Sequence, residues 1–226
     1  MPALDDIRAC AFDAYGTLFD VHAAAAKKRD AIGDKADALS AHWRSRQLHY
    51  TWLRALMGKH VDFWQVTSDA LDFAMEAVEI DDAALRDELL ALYRTLDVYP
   101  DVAPTLERLR AAGIRTAILS NGEPSMLEDA ARHAGILDLL DDVLSVESVG
   151  VFKPDPRVYQ YAADQLGAEP RQVAFMTANA WDAHGAASFG LSVVWVNRFG
   201  QPAEKLPGTP AATLGSLTEL PPILGA

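Results

Sequence analysis

Short apolar runs recur along the chain at wide intervals: Ala9–Phe12, Thr116–Leu119, Val143–Val146, Val173–Met176 and Val193–Val196. Several are β-branched, and most end on polar or small residues, the pattern of strands buried on both faces of a parallel sheet. Between the later runs the apolar positions take helical spacing. Leu106, Leu109 and Ala112 form one stripe, Met126, Leu127, Ala130, Ala131 and Ala134 a second, and Val158, Ala162 and Leu166 a third. Gly113, Gly135 and Gly167 stand just past these stripes, where helices end. Strand and helix in alternation predict an α/β fold, an open parallel sheet with helices on both faces.

The first half breaks this rhythm. From about Val21 to Leu96 there is no strand-like run, only helical stretches rich in Ala, Leu and Trp. Roughly 75 residues of helix is too much for one crossover between strands. The segment reads as a helical insert, a cap domain over residues 21–96, with residues 1–20 and 97–226 forming the core domain. Val98–Asp101 is the expected return linker, with Pro100 and Pro104 fixing re-entry and the next helix start. The tail from Gln201, rich in Pro, Gly and Thr, is expected to run over the surface. No internal repeat or low-complexity tract is present.

Composition narrows the function. The 226 residues are 50% apolar and 23% charged, an ordinary globular balance. Lys and Arg total 20 against 32 Asp and Glu, a formal charge of −12. That charge disfavours nucleic acid and anionic membrane surfaces as partners. A small anionic substrate stays open, because one Arg or Lys can dominate a pocket. The single Cys10 excludes an internal disulfide and any CxxC site, and reads as an inert thiol within the first strand. The start, MPALDDIRAC, lacks the basic and apolar regions of a signal peptide, and no run approaches the ~18 apolar residues of a membrane span. A cytoplasmic protein is expected. The six histidines, His184 among them, lack metal-ligand spacing, and no GxSxG, P-loop or GxGxxG is found.

In open α/β sheets ligands sit outside the carboxyl ends of the strands. Asp13 follows the first run, Ser120 the second, a loop with Lys153 the third, and Thr177, Asn179 and Asp182 the fourth. A carboxylate, a hydroxyl, an ammonium and a polar cluster therefore meet at one rim. A carboxylate there can act as a nucleophile once desolvated and aimed.

The segments FDAYGTLFDV, WRSRQLHYTWLRALMG, ILSNGEPSML, VFKPDPRVY and NAWDAHGAASFG, in that order, resemble the L-2-haloacid dehalogenase family of the haloacid dehalogenase superfamily. The resemblance runs from Ala9 to about Arg198. It implies a Rossmann-like core with a helical cap, a homodimer, and hydrolysis of short (S)-2-haloacids to (R)-2-hydroxy acids with inversion at C2, without metal or cofactor. By motif match Asp13 is the nucleophile that carries the ester, with Thr17 in the same motif. Arg44, helped by Asn121, draws off the halide, while Arg46 and Arg54 are rivals by residue type. Lys153 and Asp182 keep Asp13 ionised, with Tyr159 nearby, and Asn179 and Asp182 position water or Lys153. Ser120 and its loop bind the substrate carboxylate. Leu48, Phe63 and Trp181 wall the space around C2, and Trp43, Trp52 and Trp64 pack the cap.

Tyr15 separates two chemistries. Phosphatases of the superfamily carry a second Asp at this place, which holds Mg²⁺ and protonates the leaving group. Its loss is costly for phosphoryl transfer and nearly free for halide, which departs without a proton. Thr177 and Ala178 depart from the family's serines, and Ser45 from a bulkier amide beside the Arg. The alternatives are a Mg²⁺-dependent phosphatase of the superfamily and a catalytically silent binding module.

Overall fold

A computed structural model describes residue 4 and residues 6–226. Six strands form one parallel sheet: β1 Ala9–Phe12, β2 Arg115–Ser120, β3 Asp142–Ser145, β4 Val173–Thr177, β5 Ser192–Val196 and β6 Ala212–Leu214. Their order is β3-β2-β1-β4-β5-β6. The winding reverses at β1, which lies between β2 and β4, so the ligand crevice belongs at the carboxyl ends of those strands. All residues of β1, β4 and β5 are buried, which is why they read as unbroken apolar runs.

Between β1 and β2 the chain forms α1 Ala23–Lys27, α2 Arg29–Ile32, α3 Ala36–Met57, α4 Phe63–Ala77 and α5 Ala83–Tyr93, as the absence of strand patterning predicts. The long helix α3 buries Leu39, Trp43, Gln47 and Thr51, four apart on one face. It packs against α4, which buries Phe63, Val66, Thr67, Ala70 and Leu71. Asp62 and Asp82 cap α4 and α5 by accepting from Gln65 N at 2.7 Å and Leu85 N at 3.0 Å. The two crossings between sheet and helices run side by side. Asp20 N donates to Asp97 O at 2.8 Å and Tyr99 N to Leu18 O at 3.0 Å, with an antiparallel bridge between Phe19 and Val98.

The core helices are α6 Val102–Ala111, α7 Pro124–His133, α8 Pro156–Leu166, α9 Ala180–Phe189 and α10 Leu220–Ile223. Two expectations need correction. Val146 is not the last residue of β3. Ser145 Oγ accepts from Glu147 N at 3.1 Å and turns the chain into a short 3₁₀ helix, Val146–Ser148. The tail is continuously exposed only from Phe199 to Pro207. Beyond that, β6 pairs with β5, and Leu214, Leu217 and Leu220 are buried. A three-residue strand has no periodicity to read, and its stability comes from its neighbour. No helix among the described residues is long and apolar enough to cross a membrane.

Candidate active site

Each strand end delivers the side chain its sequence position predicts. Asp13 follows β1, and its backbone N donates to Met176 O at 2.9 Å, which fixes the carboxylate at the mouth between β1 and β4. Four donors converge on it. Thr17 Oγ1 reaches Oδ2 at 2.8 Å, Asn179 Nδ2 at 2.7 Å and Thr177 Oγ1 at 3.5 Å. Among the described residues Oδ1 receives only Lys153 Nζ, at 3.2 Å. The two oxygens are thus unequal: one is saturated, and the other has a lone pair to spare.

Lys153 is fully buried and bridges two carboxylates, with Asp182 Oδ2 at 2.9 Å. Burial opposes its charge, but Asp13 and then Asp182 more than offset that, and its pKa is raised. The ammonium also stands 4.7 Å over the Phe175 ring. Asp182 is wholly buried, and burial pushes its pKa up against the pull of Lys153. Its second oxygen accepts from Tyr159 OH at 2.7 Å. Tyr159 therefore holds Asp182, Asp182 holds Lys153, and Lys153 reaches Asp13.

Arg44 arrives from α3. Its Nη2 donates to Tyr15 O at 3.0 Å and Asn179 Oδ1 at 3.1 Å. Asn179 is the hub, because its Nδ2 also donates to Asp13 Oδ2 and to Tyr15 O. The rival arginines lie elsewhere: Arg46 sits 4.1 Å over the Phe73 ring, and Arg54 pairs with Asp69 at 3.0 Å.

Asp13, Tyr15, Arg44, Leu48, Phe63, Ser120, Asn121, Lys153, Asn179 and Trp181 enclose one cavity of about 20 Å³, room for about one water. Every one of these ten was picked out by the sequence. Thr17, Tyr159, Thr177 and Asp182 stand behind the wall. Ser120 Oγ accepts from Gly122 N at 3.0 Å, which leaves its hydroxyl hydrogen free for a ligand. Asn121 Oδ1 accepts from Lys153 N at 3.0 Å, which leaves its NH₂ for the cavity. Ala178 supplies a backbone donor, its N bonding Thr17 Oγ1 at 2.8 Å, so the missing hydroxyl breaks no link to Asp13.

Tyr15 lies in an aromatic box, stacked 5.4 Å from Tyr93 and tilted against Phe63 at 5.4 Å. Gly122 makes the box possible: a Cβ there would sit 2.8 Å from the Tyr15 ring. Burial pushes the Tyr15 hydroxyl well above its usual pKa, and among the described residues it has no hydrogen-bond partner. His184 is bound to the tail, its Nδ1 2.7 Å from Gly208 O, and takes no part in the cavity. Trp43 and Trp64 pack as expected, while Trp52 meets Trp181 edge-on at 5.3 Å.

The sequence reading missed three polar residues beside Arg44, namely Gln47, Thr67 and Tyr93. Gln47 was detectable, since it falls on the buried four-residue stripe of α3 where an apolar side chain belongs.

Comparison with known proteins places these observations. The haloacid dehalogenase-like hydrolase family matches residues 7–190. The chain is 48% identical over 222 residues to (S)-2-haloacid dehalogenase 1 of Pseudomonas sp. (strain CBS-3), covering 98% of each chain. Its fold superposes with a TM-score of 0.96 on a dehalogenase solved with an intermediate complex, at 46% identity and covering 98% and 99% of the two chains. It superposes with a TM-score of 0.91 on L-2-haloacid dehalogenase from Xanthobacter autotrophicus with chloropropionic acid covalently bound, at 35% identity and covering 97% and 99%.

Proposed function

Because the chain belongs to the haloacid dehalogenase-like hydrolases and, within them, to the (S)-2-haloacid dehalogenases that hydrolyse carbon–halide bonds, we propose that it converts short (S)-2-haloalkanoates to (R)-2-hydroxy acids through an ester on Asp13, with no metal required. The observation that carries this reading is the unequal treatment of the Asp13 oxygens. Oδ1, with one donor, attacks C2 in line with the departing halide. The C–X electron pair leaves with the halide towards Arg44, and C2 inverts.

Oδ2 then becomes the ester carbonyl oxygen. Asn179 Nδ2 and Thr17 Oγ1 already lie within 2.8 Å of it, so they receive the negative charge when water adds to the ester carbon. Collapse breaks the bond between that carbon and Oδ1. The product leaves with Oδ1 as its hydroxyl, and the water oxygen stays in Asp13. Lys153 Nζ, beside Oδ1, gives a proton to the departing alkoxide and regains one from the attacking water, whose other proton leaves to solvent. Ser120 Oγ and the backbone of its loop bind the substrate carboxylate, the Asn121 amide helps Arg44 with the halide, and Leu48, Phe63 and Trp181 exclude water.

Donors rather than acceptors face Asp13: an ammonium, an amide NH₂ and hydroxyls. A divalent cation would have to displace them, and Tyr15 offers a neutral hydroxyl where phosphoryl transfer needs an acid. Residues 21–96 act as the cap that brings Arg44 to Asp13. Leu53, Leu56 and Met57 are exposed on the outer part of α3, an apolar patch that a second copy would cover in a homodimer.

The test is halide release from 2-chloropropionate with chelator present. Release from the S enantiomer only, abolished by Asp13→Asn, is expected. In a single turnover in H₂¹⁸O with excess enzyme, the label enters Asp13 and not the first product. Label in that product, or chelator-sensitive turnover of p-nitrophenyl phosphate with no halide release, would overturn the proposal.

A further inference from the structure

We propose that Gln47 is a positioning residue that holds the Arg44 guanidinium in line with the departing halide. This rests on Arg44 being the halide-side cation, as read above. Gln47 lies one helical turn beyond Arg44 on α3 and is 1% exposed. A buried amide on an apolar stripe costs stability unless its polar atoms are paired, and here they are. Nε2 donates to Thr67 Oγ1 at 2.9 Å. Oε1 accepts from Tyr93 OH at 3.1 Å and from Arg44 Nη1 at 3.4 Å.

Only one orientation of the amide serves all three partners. Exchanging its O and N would aim an NH₂ at a cationic guanidinium. Thr67 is itself fixed, since its backbone oxygen accepts from Trp43 Nε1 at 2.9 Å. Burial raises the pKa of the Tyr93 hydroxyl, which keeps it a neutral donor. The oxygen that meets Arg44 is thus set by α4 and α5 together.

Arg44 is consequently gripped from two sides. Gln47 takes Nη1, and Tyr15 O and Asn179 Oδ1 take Nη2. Three of its five N–H donors are spent on orientation, and the remainder are left for the cavity that Arg44 lines. A leucine at position 47 would pack as Leu39 does, two turns earlier on the same stripe. The polar choice at this point is explained by what it does to Arg44. Misplacing a charge-stabilising group by ~1 Å costs on the order of 100-fold.

The test compares Gln47→Leu and Gln47→Glu with the parent in single turnovers. Halide release from (S)-2-chloropropionate is expected to fall ~10–100-fold in Gln47→Leu, with KM nearly unchanged and hydrolysis of the preformed ester within about twofold. The loss should be smaller for 2-iodopropionate, whose leaving group needs less help. Gln47→Glu keeps an acceptor for Tyr93 and Arg44, and Thr67 Oγ1 can turn to donate to its second oxygen, so its melting temperature should lie above that of Gln47→Leu. Its added negative charge should still slow chloride release. ¹⁵N resonances of the Arg44 guanidinium need no turnover: slowed rotation in the parent should be lost in Gln47→Leu. Parallel loss in both chemical steps, equal effects on chloride and iodide, or unchanged guanidinium dynamics would overturn the assignment. A parent that releases no halide but shows the guanidinium effect would reject the proposed function and leave the positioning role standing.

Discussion

Replacing Lys153 by Met removes one positive charge and little volume from between two carboxylates. The ammonium lies 3.2 Å from Asp13 and 2.9 Å from Asp182, and the three side chains are 1%, 9% and 0% exposed in the order Lys153, Asp13, Asp182. Deleting one member of a buried ion pair costs about 3–5 kcal/mol, because the partner is left charged and dry. For a chain of this size that is ~6–20 °C in melting temperature. The pH dependence has a definite sign. In the parent the folded pKa of Lys153 is raised, so its contribution is complete below the ordinary 10.5 and is lost only as pH rises through the higher folded value. In Lys153→Met the two carboxylates repel each other, and Asp182, already raised by burial, climbs further. A carboxyl with a raised folded pKa stabilises the fold below its unfolded pKa and loses that contribution as pH rises through the folded one. The deficit against the parent should therefore shrink on acidification. Thermal melts across pH, with halide release measured alongside, check both halves. Adding Asp182→Asn should recover at least ~1 kcal/mol of the loss without restoring halide release. A pH-independent deficit, or one below ~1 kcal/mol, would refute the account of this triad.

Three further outcomes are expected. Gly185→Ala places a Cβ 2.6 Å from Pro154 Cβ and 2.9 Å from Tyr159 OH. It should push Tyr159 off Asp182 and cost about 1–3 kcal/mol in a thermal melt. The Cys10 thiol, pushed up to about 12 by burial, should resist thiol reagents at neutral pH until the protein is unfolded, with no loss of activity beforehand. Arg198→Lys gives up paired bonds to Asp101 at 2.7 and 3.0 Å and one to Thr17 O at 3.0 Å, and should lower stability by about 1–3 kcal/mol in denaturant unfolding.

The parts of the molecule legible in the sequence share one property: their identity is set locally or by a fixed place in the topology. Buried strands β1 to β5 need apolar side chains on both faces, so they stand out from the helices around them. Asp13, Ser120, Lys153 and Asp182 follow strands, and a parallel sheet gathers strand ends at one rim. What the sequence left hidden depends on partners far along the chain. Strand β6 exists because β5 offers an edge. Gln47 gains meaning only when Thr67 and Tyr93 close around it. The order of the two carboxylates behind Lys153, one facing the cavity and one sealed, is likewise a fact of packing.

A cavity of about 20 Å³ holds one water and cannot hold a 2-haloacid, so the reacting state requires the walls to part. Arg44, Leu48 and Phe63 come from the helical segment and the other lining residues from the sheet rim. Beyond the cavity the two sides are joined by the Tyr15 ring against Phe63 and Tyr93 and by two partly exposed ion pairs, His60–Glu147 and Arg94–Asp129, each at 3.0 Å. Such pairs are worth ~0–1 kcal/mol each. The paired crossings at Phe19 and Val98 are held by backbone bonds, and the adjacent Asp101 by Arg198. The cheapest opening therefore swings the helical segment about those crossings. At the site such a swing parts Arg44 from Tyr15 O and from Asn179. Asn179 also holds Asp13, so under the proposed function closure seats Arg44 through the same residue that aims the carboxylate. Expulsion of water and assembly of charge then become one event, which is what a weak carboxylate nucleophile needs to attack carbon before solvent can intervene.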